Sequence, residues 1–125
     1  MADDAGTNET DPIKQFDANN PWNILLTLRP SDVGTSNTLT VPRVSAETRM
    51  LPFLSMYRFR GYVDFYDVES DVVTTLTLKR QRNGDYHFHG WSMVLERKHC
   101  KTGDTVVFWW DNLHRRFNFE LVLIA

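Results

Sequence analysis

VVTTLTLKRQRNGDYHFHG, residues 72–90, is the stretch on which the fold turns. Leu76 and Leu78 fall on one side of an extended chain and Thr77 and Lys79 on the other, the period of a half-buried strand. Asn83-Gly84 is the strongest hairpin signal in the sequence, because a type I′ turn needs positive φ at both central residues and these two types tolerate it. The spacing therefore predicts a strand over Val72–Arg80, a tight turn, and a return strand over Asp85–His89.

The same period extends outward in both directions. Trp22, Ile24, Leu26 and Leu28 alternate with Asn23, Leu25 and Thr27. Thr38–Val41 is a short strand ended by Pro42. Tyr62–Tyr66 alternates Val63 and Phe65 against Asp64. Thr105–Trp110 and Arg116–Leu123 form a last pair, with Phe117, Phe119, Leu121 and Leu123 on one face. Two short helices are expected between the strands. Ser45 can cap one through Arg49, with Glu47 in its first turn and Pro52 as a stop. Ser92 can cap another to about His99, whose last turn holds Arg97, Lys98 and His99 ahead of Gly103. Seven strands and two helices predict a mostly β, small open barrel. The sequence contains no internal repeat and no low-complexity segment.

A chain of 125 residues supports one core and not two. Residues 1–20 carry five acids (Asp3, Asp4, Glu9, Asp11 and Asp17) against Lys14 alone, a charge of −4, and little to bury. They are expected to be a disordered tail ahead of a domain over 21–125. The net charge of −2 thus conceals a mildly basic domain, which permits nucleic-acid binding without requiring it. No apolar run approaches a membrane span and no signal-peptide core is visible, so a soluble intracellular protein is expected. The single cysteine, Cys100, fits a reducing compartment.

Leu28–Glu47 reads LRPSDVGTSNTLTVPRVSAE, and it resembles the signature of the plant B3 DNA-binding domain: a strand, Pro-Ser-Asp-Val-Gly, a loop, then an aliphatic-Pro-basic step into a helix. The second half is similar too, in HGW (His89–Trp91), KTGDTVVFWWD (Lys101–Asp111) and WWDNLHRRFNFELV (Trp109–Val122). The closing string resembles a divergent plant subgroup. The resemblance covers Trp22–Leu123. It implies a seven-stranded pseudobarrel that lays two arms into the major groove of double-stranded DNA, within a nuclear transcription factor that needs no cofactor. The first arm maps to Arg29–Arg43 and offers Arg29, Ser31, Thr35, Ser36, Asn37 and Arg43. The second maps to Lys79–Asp85, where Lys79, Arg80, Gln81, Arg82 and Asn83 supply phosphate-binding and base-reading types in five consecutive positions. Two positions that are usually basic in the family are Thr35 and Thr38 here. That leaves an alternative, a protein-interaction module on the same scaffold.

The remaining residues have blander readings. Lys79, Arg80 and Arg82 also suit a solvated hairpin whose charges discourage edge pairing. Asp32 and Gly34 are expected to shape a turn, Gly34 by permitting a positive φ. His87 and His89 share a strand face, with no Cys or acidic residue at metal-site spacing. Trp91, Phe108, Trp109, Trp110, Phe117 and Phe119 read as core, except that one of Trp109 and Trp110 should be exposed and offer a protein partner an aromatic patch. Asp64, Asp67, Glu69 and Asp71 read as a solvated turn. Cys100 lies among Arg97, Lys98 and Lys101, which would lower its thiol pKa. No nucleophile–base pattern is present, and no enzyme is expected.

Overall fold

The structure, a computed structural model, describes residues 17, 19–57 and 61–123. The expected disorder of the tail falls almost wholly outside these residues. In chain order the elements are β1 (Ile24–Thr27), α1 (Pro30–Val33), β2 (Thr38–Val41), α2 (Arg43–Arg49), α3 (Leu51–Tyr57), β3 (Tyr62–Asp67), β4 (Val72–Arg80), β5 (Tyr86–His89), α4 (Ser92–Lys98), β6 (Thr105–Asp111) and β7 (Arg116–Leu123).

All seven strands join one sheet in the order β1-β6-β7-β3-β4-β5-β2, curled into a nearly closed barrel. Every pairing is antiparallel except β3 with β7, where Phe65 lies opposite Phe117 and Asp67 opposite Phe119. That parallel pair joins the two halves of the chain. The inward parity of each strand fills the interior with Ile24, Leu26, Leu39, Val41, Val63, Leu76, Leu78 and the large rings. Phe65, 1% exposed, is their hub. Its ring meets Phe88, Phe108, Phe117, Phe119 and Trp91 at centroid separations of 4.8–6.5 Å. These tilted and edge-on contacts are the geometry that aromatic quadrupoles favour.

Among the described residues, four helices replace the expected two. One-turn α1 has no apolar period to read; Pro30 opens it and the Asp32 carboxylate accepts the Arg29 N–H at 2.9 Å. Helix α2 starts at Arg43 rather than after Ser45, because the Pro42 carbonyl already accepts the Ala46 N–H at 3.0 Å. Pro52 does not stop a helix but sits in the first turn of α3, where a missing N–H costs nothing. Trp91, not Ser92, is the N-cap of α4. The Ser92 N–H is instead taken by the Asn37 side chain at 2.7 Å. The first strand is also shorter than its alternation: Trp22 packs edge-on against Phe53 at 5.4 Å, and buried Asn23 donates its side-chain amide to the Asp17 carbonyl at 2.7 Å.

Four aspartates are buried at loop ends: Asp32, Asp67, Asp104 and Asp111. Each accepts backbone N–H groups that the neighbouring turn leaves unpaired, from Arg29 and Thr40, Glu69 and Ser70, Lys101, and Leu113 and His114 respectively. Asp67 therefore departs from the expected solvated turn. It is fully buried and lies 3.4 Å from the Lys98 ammonium and 3.7 Å from Arg97, while Lys98 also pairs with Glu69. Burial alone would raise its pKa, but the Ser70 hydrogen bonds and Lys98 outweigh burial and hold it below the usual carboxylate range. Both tandem tryptophans are buried as well, so the expected aromatic patch is not formed by Trp109 or Trp110. Cys100 is corrected too: burial, with Asp104 adding to it, pushes its thiol up to about 11, against the expected lowering. No helix among the described residues is long and apolar enough to cross a membrane.

Two predictions follow from this packing. Trp91 is fully buried against Phe65 and Phe119, so Trp91→Ala should cost about 3–5 kcal/mol in chemical denaturation. A depressed Asp67 pKa stabilises the fold above the unfolded carboxylate value, and that contribution is lost as pH falls below about 4. Asp67→Asn should lower Tm at pH 7, by about 3 kcal/mol of stability, and should flatten the fall in Tm between about pH 5 and 3.

Candidate nucleic-acid interface

The two predicted arms flank one surface. The outward parity of β2, β5 and β4 aligns two cross-strand rows, Thr38–His89–Thr77 and Thr40–His87–Lys79. The loop 29–37 enters this surface at Thr38, and the hairpin 81–85 leaves it beyond Lys79 and Arg80. Antiparallel pairing thus sets the loop 29–37 and the hairpin 81–85 on opposite sides of the two rows, while the far end of the first arm, at Arg43, comes round to the hairpin.

The first arm is held by short-range bonds. The Asp32 carboxylate takes the Arg29 N–H with one oxygen and the Thr40 N–H with the other, at 2.9 and 3.0 Å. It is an organiser, as its residue type suggested. The Ser36 hydroxyl donates to the Ser31 carbonyl at 2.9 Å and lies 3.0 Å from the Thr38 hydroxyl, which brings the loop against the outward face. Gly34 has φ −83° and needs no left-handed backbone, contrary to expectation. Asn37 holds that conformation instead, at φ 60°. Its carbonyl accepts the Gly90 N–H at 3.1 Å and its side chain accepts Ser92, so Asn37 ties the loop to the start of α4. Arg29 and Thr35 are exposed, with Arg29 3.7 Å from Asp32.

The second arm is a hairpin as expected, but with a different turn. Gly84 alone is left-handed, at φ 94°, and Asn83 is not. The Gly84 N–H reaches the Gln81 carbonyl at 3.0 Å and the Gln81 N–H reaches the Asp85 carbonyl at 2.7 Å. This is a three-residue loop, Arg82-Asn83-Gly84, with glycine at the bulge position. The Asn83 side chain folds back onto Asp85: it accepts the Asp85 N–H at 2.9 Å and donates to the carboxylate at 3.3 Å. Gln81 donates its amide to the Lys79 carbonyl at 3.3 Å.

The arms also touch. The Arg43 N–H donates to the Asp85 carboxylate at 2.9 Å, and the Arg43 stem lies directly over Gly84. A Cβ on Gly84 would fall 2.6 Å from the Arg43 Cδ. The Arg43 guanidinium, 59% exposed, pairs with Glu47 at 3.2 Å. Lys79, Arg80 and Arg82 are exposed and make no ion pair among the described residues. Three exposed cations without an ion-pair partner among the described residues therefore lie at the end of β4 and on the hairpin loop. Sequence reasoning missed Asp85 as the link between arms, and it read His87 and His89 as ordinary surface or arm residues rather than metal ligands. The alternation of the return strand already put both on Lys79's face. No three His, Cys, Asp or Glu side chains converge on a metal-sized site among the described residues.

Comparison with known proteins is consistent with this geometry. Residues 22–122 match the family described as B3 domain-containing protein At5g26805, C-terminal domain. The chain is 32% identical to B3 domain-containing protein At1g10455 of Arabidopsis thaliana, over 96% of this chain and 83% of that protein. Two solved structures share the fold. Arabidopsis FUS3, solved as a DNA complex, is 12% identical with a TM-score of 0.63 over 82% of this chain and 97% of that one. The Arabidopsis thaliana transcription factor LEC2, also solved with DNA, is 16% identical with a TM-score of 0.64 over 81% and 92%.

The close approach at Gly84 makes a specific prediction. Gly84→Ala combines a left-handed backbone with a clash on Arg43, and should cost about 1–2 kcal/mol in thermal or denaturant unfolding. The Arg43 Nε–H resonance should shift with it. An unchanged Tm and an unmoved resonance would show that the arms are not joined there.

Proposed function

The chain belongs to the B3 domain-containing family, and on that premise we propose that it binds double-stranded DNA through its two arms, as or within a nuclear plant transcription factor. The observation that carries this reading is the hairpin tip, where Lys79, Arg80 and Arg82 stand exposed without an acidic partner among the described residues. Charges left without an acidic partner at a hairpin end suit a polyanion. The width of a major groove, about 12 Å, admits a two-stranded ribbon of this kind. Lys79, Arg80, Arg82, Arg43 and Arg29 are assigned to phosphate and base-edge contact. Ser31, Thr35, Ser36 and Gln81 supply neutral donors and acceptors at the two rims. Asn37 and Asn83 contribute mainly by holding their loops, since their side-chain oxygens are already engaged.

A second reading, a protein-interaction module, is favoured by one feature. Thr35 and Thr38 put neutral side chains where related domains are usually basic, and the Thr38 hydroxyl is already held by Ser36.

Salt titration separates the two. Each phosphate contact contributes about 0.9 to the log–log slope of affinity against salt, so Lys79→Ala with Arg82→Ala should flatten the slope by roughly 2. The fold should be unaffected, because both side chains are exposed. Arg43→Ala should also weaken binding if both arms grip one groove. A folded wild-type protein that retains no duplex at low salt would overturn the DNA reading in favour of the interaction module.

A further inference from the structure

Between the arms lie two imidazoles that neither the core nor the hairpin uses. His87 and His89 project from β5 on the outward face, with ring centroids 6.0 Å apart. Both are half-buried, and neither ring has a hydrogen-bond partner among the described residues. His87 is flanked by Thr40 on β2 and Lys79 on β4, and His89 by Thr38 and Thr77. The side chains beside the pair are thus three neutral threonines, Thr40 next to His87 and Thr38 and Thr77 next to His89, and a single charge, the Lys79 ammonium; the exposed Tyr62 lies one strand further on, opposite Thr77. No carboxylate sits in either row to compensate a proton.

We propose that His87 and His89 form a proton-accepting floor between the arms, which takes up protons when the backbone of a DNA strand lies across it, so that duplex affinity rises as pH falls. This rests on the proposed DNA binding and adds a contact surface and a regulation to it. The sign follows from the surroundings. In the free protein, burial and then the neighbouring Lys79 and His87 lower the pKa of His89, so its neutral form is favoured near neutrality. A phosphate placed over the rows reverses that balance. It offers each ring N–H⁺ an anionic acceptor and offsets the repulsion from Lys79. Binding and protonation then reinforce each other. Histidine is the side chain whose ordinary pKa makes such coupling felt between about pH 5 and 8. The arms grip through lysine and arginine, residue types whose ordinary pKa values lie far above that range.

The test is duplex affinity of the full chain at constant ionic strength between about pH 5.5 and 8, for the wild type and for His87→Gln with His89→Gln. Glutamine keeps polar side chains at both positions but cannot take the proton. The wild type should bind about tenfold more tightly at the acid end, the gain expected when one protein site is favoured by about one pH unit in the complex. The double variant should lose that gain, its affinity staying nearly flat across the range whatever its level. Calorimetry in buffers of different ionisation enthalpy should show proton uptake by the wild type and its loss in the variant. His99 and His114 lie outside the rows, so any pH dependence they cause would survive in the variant and is subtracted by the comparison. Duplex binding with a flat pH profile, or a profile unchanged in the variant, overturns this inference and leaves DNA binding standing. Absence of duplex binding at every pH overturns both.

Discussion

The constraint on which everything else depends is the filling of a small barrel by aromatic rings around Phe65. Strands of four to nine residues enclose too little space for many aliphatic layers. Rings from β5, β6, β7 and the N-cap of α4 meet Phe65 from several directions instead. Edge-on packing is directional, so these rings fix strand order more sharply than interchangeable aliphatics would. It also explains why the parallel pairing of β3 with β7 is tolerated: Phe65, Phe117 and Phe119 are in contact across it.

A rigid interior alone would not position the loops. That task falls to carboxylates. Buried Asp32, Asp67, Asp104 and Asp111 each accept backbone amides at a turn, so loop geometry is set by polar side chains that are costly to bury without partners. Asp32 shapes the first arm and Asp85, at the base of the second, receives the Arg43 N–H. The basic groups left over are those a polyanion would meet. In this way a chain of net charge −2 presents a cationic rim: its acids near the arms are consumed in shaping them.

Much of this was legible in the sequence, for identifiable reasons. All seven strands were expected, most of them from period-two alternation, and Leu76 and Leu78 of β4 and Phe117 and Phe119 of β7 face inward as the pattern named. The arms followed from the resemblance rather than from periodicity. What was not legible depended on single backbone angles or on contacts distant in sequence. Helix α1 is one turn and has no period, and α3 begins on a proline that reads equally as a stop. Asn83-Gly84 announced a hairpin correctly, yet the turn places only Gly84 at positive φ because Asn83 is drawn to Asp85. Trp109 and Trp110 alternate as a strand must, but both sides of β6 are covered, so neither is exposed. Cys100 shows the same limit: its cationic sequence neighbours suggested an acidic thiol, and burial beside Asp104 decided otherwise.

One bond in the first arm has a consequence beyond recognition. Strand β2 ends the sheet, and its outer backbone would otherwise invite a strand from another molecule. The Asp32 carboxylate occupies the Thr40 N–H on that side. The loop proposed to meet DNA therefore also covers part of that edge. Evolutionary change in this arm is constrained twice over: a sequence that retuned what the loop touches, but lost the carboxylate, would trade a change of partner for a tendency to self-associate.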